Sequence, residues 1–170
     1  MFSIFKIVRF HLLRLYISIV VEFKNLIKVP WKKVEGIYLP LNRDIGFNTS
    51  RWIVNGRYET GEFNIVKKHL QKGDIVLEIG TGLGFISSYC AKIVGSESVY
   101  TFEANPVNVE LAKQVYFKNA VNPVLKNAIL ADENGFADFY IDKKNLLASA
   151  LGIVNGNKIK VEKLNLNEQI

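Results

Sequence analysis

The chain is poor in residues that build covalent or metal frameworks. It has one cysteine, Cys90, so no disulfide can form within a chain, and no zinc-type Cys/His spacing is present. A lone cysteine in a helical stretch reads as a small core residue. A long hydrophobic run is also lacking. Arg14 interrupts the apolar N-terminal segment, and Leu15 to Val21 falls well short of the ~20 residues a bilayer span needs. No nucleic-acid-binding motif appears. The charge of +6, from 22 Lys and Arg against 16 Asp and Glu, is modest and sits largely in the N-terminal segment, so no nucleic-acid partner is expected. Core material is not lacking: 49% of the 170 residues are hydrophobic, which suits one folded domain rather than disorder.

What is present centres on Gly73-Asp74-Ile75-Val76-Leu77-Glu78-Ile79-Gly80-Thr81-Gly82-Leu83-Gly84. A turn leads into a short apolar strand, the strand breaks into three glycines at alternate positions, and a helix follows from Gly84 to about Val94. Strand, glycine turn and helix start are the parts of a nucleotide-binding βα unit. Glycine tolerates positive φ and has no Cβ, so a ligand can lie against the backbone. Exposed N–H groups at the helix start favour a carboxylate or phosphate. A dinucleotide site wants G-x-G-x-x-G, and Phe85 stands where its third glycine would be. The spacing therefore disfavours a nicotinamide enzyme.

The expected order runs α/β throughout. Ile75 to Ile79 is expected as the central strand, apolar on both faces as in a parallel sheet. Ser98 to Glu103 is the second strand. Glu103 ends it about 20 residues past the glycines, where an acidic side chain can accept both ribose hydroxyls. A carboxylate at the end of an apolar strand is not explained by packing, because a buried charge is costly without partners. Ala104 is small and leaves room for an adenine ring. Asn105-Pro106 opens a helix to about Asn119, with Pro at the first helical position. Val124 to Leu130 is a third strand, Phe136 to Ile141 alternates as a hairpin strand, Asp142 to Asn157 reads as a surface loop, and Lys158 to Leu164 is another strand. Upstream, a helix is expected from about Glu62 to Gln71, capped by Thr60 or Gly61. Ile37-Tyr38-Leu39 and Arg51-Trp52-Ile53-Val54 read as short strands in a turn-rich lead-in, residues 31–55.

Residues 1–30 form an amphipathic N-terminal segment. Phe5, Val8, Leu12, Leu15, Ile19, Phe23 and Leu26 recur every three or four residues, which is one face of a helix. Packing on its own domain or on a partner is the preferred reading of that face. An interfacial membrane contact through residues 1–28 stays open. So does a secretory signal, although no small-x-small cleavage site follows.

Taken in order, these pieces resemble the FkbM-type S-adenosylmethionine (SAM) methyltransferases. The match is carried by Tyr58-Glu59-x-Gly61-Glu62, then Glu78-Ile79-Gly80-x-Gly82-x-Gly84, Phe102-Glu103-Ala104-Asn105-Pro106, Asn127-Ala128-Ile129, Gly135-x-Ala137-x-Phe139-Tyr140 and Val161-x-x-Leu164-Asn165. It covers about residues 55–168. The resemblance implies a Rossmann-like SAM methyltransferase sheet over residues 56–170, incomplete at the C-terminus. It implies SAM as cofactor, no metal, and methyl transfer to a hydroxyl of a sugar, lipid or other small molecule. Gly80, Thr81, Gly82 and Gly84 would cradle the methionine end of SAM. Glu78 would reach its amino group through water, Glu103 would hold the ribose, and Ala104 and Ala128 would flank the adenine. The family's acceptor-side segment, a Lys-x-Asp-x-Glu-Gly type strand, has no counterpart here. No catalytic residue is assigned, therefore, and whether the chain is an enzyme is left open. The alternative is a non-catalytic SAM-binding remnant or scaffold completed by a partner chain. An uncovered sheet edge is expected to invite self-association. A cytoplasmic protein is expected, with membrane association as the open alternative.

Overall fold

The computed structural model describes residues 12, 14–20, 31–41, 45–142, 149–150 and 156–169. The chain divides into two compact units, Met1–Tyr58 and Glu59–Ile170.

In the first unit, residues 14–20 are helical (α1). Strands β1 (Trp31–Val34) and β2 (Ile37–Pro40) form an antiparallel hairpin with Trp31 opposite Pro40 and Val34 opposite Ile37. Helix α2 (Phe47–Val54) follows. Its last turn is Arg51 to Val54, which the sequence reading placed in a strand. The β-branched and aromatic residues there have strand propensity, but the chain closes a helical turn over them and buries Thr49, Ser50 and Ile53 together. Ile17 is almost fully buried, whereas Leu12, Leu15 and Ile19 are exposed. The described helical residues fall within the expected helix, and there the expected packing face is turned outward. The outer parts of that stripe, Phe5, Val8, Phe23 and Leu26, lie outside the described residues.

The second unit is mixed α/β. Helix α3 (Thr60–His69) leads in, with Glu59 rather than Thr60 or Gly61 at its N-cap. Strands β3 (Val76–Ile79), β4 (Val99–Phe102) and β5 (Val124–Lys126) form a parallel sheet in the order β3-β4-β5. Their crossovers are α4 (Phe85–Val94) and α5 (Pro106–Asn119). This is the Rossmann-like arrangement expected, since parallel neighbours need a crossover helix. Cys90, Ala91 and Val99 are buried where α4 meets the sheet, with Val66, Leu70 and Ile86 packed against them. The Phe63 ring stacks on Phe85 at 5.5 Å and meets Tyr89 edge-on at 4.8 Å, fixing α3 to α4.

A second sheet continues the chain: β6 (Ile129–Ala131), β7 (Gly135–Asp142), β8 (Ser149–Ala150) and β9 (Gly156–Asn165), ordered β6-β9-β7-β8. Two expectations change here. The strand read as Val124 to Leu130 is two strands in different sheets, broken at Asn127-Ala128. Part of the expected loop, Ser149–Ala150, pairs with Tyr140–Ile141 of β7, and residues 143–148 and 151–155 lie outside the described residues.

A third correction concerns β3. It was expected at the sheet's centre, yet among the described residues it pairs with β4 alone and so forms an edge. Ile75 and Ile79 are 78% and 66% exposed. An open groove of about 580 Å³ runs along the strand, lined by Ile65, Val66, Leu70, Leu77 and Ile86 among others.

Candidate functional site

Two turns meet at the C-terminal ends of β3 and β4, where ligands bind in open parallel sheets. The first turn is the glycine bend. Gly80, Gly82 and Gly84 have φ of +82°, +52° and +75°, a left-handed run that non-glycine residues adopt only under strain. The second is the tip of β4, where Glu103 leaves the strand and Asn105 caps α5 by accepting a hydrogen bond from the Val107 N–H at 3.0 Å.

The Glu103 side chain points at the glycine bend. Its Oε2 accepts from the Gly82 N–H at 2.9 Å, and its Oε1 accepts from the Asn105 N–H at 2.8 Å. The Asn108 side chain also hydrogen-bonds it. The Oδ1 of Asn108 is buried and has no partner among the described residues, which leaves its amide N–H as the group that meets Glu103. Burial pushes the Glu103 carboxyl above the usual carboxylate range. The N–H groups of Asn105 and Gly82 and the Asn108 side chain oppose that rise, and nearby Glu78 adds to it. Three donors take three of the carboxylate's four lone-pair positions, so one is left to accept a further hydroxyl. Asn127 steadies the same turn by donating to the carbonyls of Glu103 and Ala104 at 2.7 and 3.1 Å.

The remaining expected residues divide by which way they face. Gly80 is exposed, and a Cβ built on it would meet nothing within 4 Å. A ligand can lie against it. Gly84 is a packing glycine instead: its Cβ would lie 2.6 Å from Tyr116 Cε1 and 3.2 Å from Ala112 Cβ, so the loop and α5 touch there. The N–H groups of Gly80 and Thr81 both donate to the Phe102 carbonyl, at 2.7 and 3.3 Å, and that of Gly82 is held by Glu103. Those three donors are engaged within the chain rather than directed at an anion. Ala128 is 2% exposed, which puts its methyl inside the fold rather than on an open wall. Ala104 is half-buried against the Phe139, Ile141 and Val161 cluster.

Glu78 and Thr81 form a polar core behind the bend. Glu78 Oε2 accepts from Thr81 Oγ1 at 2.5 Å and from Thr101 Oγ1 at 2.7 Å. Thr81 Oγ1, Ser87 Oγ and the Tyr116 hydroxyl lie within 2.8–3.0 Å of each other. The three hydroxyls carry one proton each, and one proton is committed to Glu78. Two are left for the three contacts of the triangle, so one edge lacks a hydrogen at any instant. Burial raises the Tyr116 hydroxyl to about 12, partly offset by Ser87 and Thr81, so it stays a donor. The network ties α4 and α5 to the underside of the bend and holds its positive-φ shape. None of Tyr116, Ser87, Thr101 and Asn108 is among the site residues that the sequence points to. A run of hydroxyls facing one strand-end carboxylate was the available signal.

Phe85 is buried with its ring stacked on Phe63. The place a dinucleotide site keeps bare is filled here.

Comparison with known proteins adds what the geometry alone does not give. No known family model matches the chain. It is similar to the ribosomal protein L11 methyltransferase of Thermotoga neapolitana, 29% identical over 119 residues, covering 68% of this chain and 42% of that protein. It is also similar to the ribosomal protein L11 methyltransferase of Bacillus cereus, 32% identical over 89 residues, covering 51% of this chain and 28% of that protein. The similarity is to methyltransferases. A solved structure, the Pyrococcus abyssi tRNA (uracil-54, C5)-methyltransferase in complex with S-adenosyl-L-homocysteine, aligns over 61% of this chain and 27% of its own, with TM-score 0.43 and 17% identity. The chain spans under half the length of the relatives it matches.

These relatives correct the partners read from the sequence. Their names specify a ribosomal protein as the substrate, so the expectation of a small-molecule hydroxyl acceptor is overturned, and the exclusion of nucleic acid is dropped with it. The FkbM type itself finds no counterpart among them.

Proposed function

We propose that the second unit is the donor-binding half of a SAM-dependent methyltransferase that acts on a macromolecule, a protein or an RNA. One observation carries the donor site: the Glu103 carboxylate, at the tip of β4, is hydrogen-bonded to Gly82 in the middle of the glycine bend. A group that lies on exposed Gly80 is within reach of that carboxylate. A ribose hydroxyl of SAM would donate to its remaining lone pair, and the sulfonium chain would run over Gly80. SAM supplies an electrophilic methyl group. This chain's residues bind and orient it, and transfer to an acceptor is an in-line displacement that depends on positioning. Glu78 acts from beneath, by fixing the bend through Thr81, rather than through a water to the amino group as the resemblance implies. The similarity to ribosomal protein L11 methyltransferases supports a protein acceptor over the hydroxyl acceptor that the FkbM-type motifs imply.

Titration calorimetry of the full chain with SAM, S-adenosylhomocysteine and NAD tests this reading. The expected result is binding of the first two and not the third. NAD binding without SAM binding would overturn it.

A second reading is a non-catalytic SAM-binding scaffold completed by a partner chain. The β3 edge, open among the described residues and beside an apolar groove, favours it. It shares the donor site and differs only in lacking turnover, which a methyl-transfer assay with the partner present separates.

A further inference from the structure

We propose that α1 is an interfacial helix that lays its outer face on an anionic lipid surface. This is independent of the donor site, because it concerns only the first unit.

The observation is the direction of the stripe. Leu12, Leu15, Tyr16 and Ile19 are spaced i, i+3, i+4 and i+7, the spacing of one helical face. All four are more than half exposed. Ile17, on the opposite side, is 1% exposed, and the Arg14 guanidinium stacks over the Phe47 ring of α2 at 5.6 Å. The helix therefore buries Ile17, sets Arg14 against α2 and turns its large apolar residues outward. A helix that served only to complete its own core would be rotated the other way.

Charge selects the occupant. Residues 1–28 hold Lys6, Arg9, Arg14, Lys24 and Lys28 against a single acid, Glu22, so four of the chain's six excess positive charges fall there. Lys6 and Arg9 precede the stripe and Lys24 and Lys28 follow it. Cations on both sides of a short apolar stripe match an anionic headgroup layer over a hydrocarbon one. An RNA would need cations rather than leucines on the open face. No helix among the described residues is long and apolar enough to cross a membrane, so the fit is to the surface.

Co-sedimentation of the full chain with vesicles tests it, using pure phosphatidylcholine and phosphatidylcholine mixed with phosphatidylglycerol. Expected is binding to the anionic vesicles, weaker to the neutral ones, and weaker again at high salt. Combined Leu12→Ser, Leu15→Ser and Ile19→Ser should reduce binding at least ~100-fold, on the usual transfer free energy of three apolar side chains. Phe117→Ser, which removes an exposed aromatic from α5, should change nothing. Absence of anionic-vesicle binding, equal binding to neutral vesicles, or equal loss in Phe117→Ser would each overturn the proposal. A dimer that the triple substitution disperses, without vesicle binding, would assign the face to a second copy instead. The lipid and salt comparisons use the unaltered chain, so they decide the matter even if the triple variant folds poorly.

Discussion

The two ends of the β3–β4 pair are finished to different degrees. At the C-terminal tips, Glu103 is 7% exposed and its carboxylate is met by two backbone N–H groups and the Asn108 side chain. Along β3, apolar Ile75, Leu77 and Ile79 face solvent beside a strand edge that is unpaired among the described residues. A buried carboxylate is expensive to hold and an open apolar edge invites association, so the first feature has a use and the second a liability. The strand tips carry a carboxylate whose hydrogen bonds are made within this chain, whereas the β3 edge is open among the described residues.

The largest expected effect separates two glycines in one bend. Gly84→Ala should cost about 2–4 kcal/mol in denaturant unfolding, because its Cβ would strike Tyr116 in a strained backbone conformation. Gly80→Ala meets open space and should cost only about 1–2 kcal/mol, the backbone strain alone, while weakening SAM binding. Equal destabilisation by the two would remove the distinction between packing and cradle.

Next in size is the carboxylate. Glu103→Ala should weaken SAM binding by about 1–3 kcal/mol, the cost of leaving ribose hydroxyls unpaired. Glu78→Gln, acting beneath the bend, should lower stability more than affinity. A calorimetric titration paired with a thermal melt checks both. Loss of affinity in Glu78→Gln at unchanged stability would put Glu78 back in contact with the ligand.

The pH dependence should run in opposite senses for the two properties. Because the folded Glu103 carboxyl titrates above the usual range, its contribution to stability is fully present below the ordinary carboxylate pKa and is lost as pH rises through the raised value. SAM binding needs the charged form and should fall as pH drops through that same value. Affinity and melting temperature measured across the acidic range, in wild type and Glu103→Ala, show the crossing only in wild type.

The smallest effect lies on the edge. Ile79→Lys should change stability by no more than ~0.5 kcal/mol, since the side chain is exposed, while reducing self-association on concentration. Light scattering at rising concentration reads it. A large loss of stability would mean that Ile79 is packed in solution.

The helices of the second unit were legible because their signals are local. Asn105-Pro106 marks the start of α5, and the bounds Pro106–Asn119 match the reading. The glycine bend and the β4 carboxylate were found from spacing alone, and the structure brings them together. What failed was set by distant contacts. Arg51 to Val54 carry strand propensity, but the face they bury includes Thr49 and Ser50, so no apolar period announced a helix. The break after β5 depends on Asn127 donating to carbonyls of a different strand end. An apolar strand such as Val76–Ile79 looks the same whether central or at an edge, because its neighbours are not written in it. In α1 the period was visible, but the side that is buried carries Ile17, a single residue off the stripe.

The affinity of the full chain for S-adenosylhomocysteine, compared between wild type and Glu103→Ala by calorimetry, tests the donor site most directly. Saturable one-to-one binding that weakens at least ~5-fold in the variant, consistent with the loss of hydrogen bonds to a charged group, is the expected result. No binding by the wild-type chain, or equal binding by both, would contradict it.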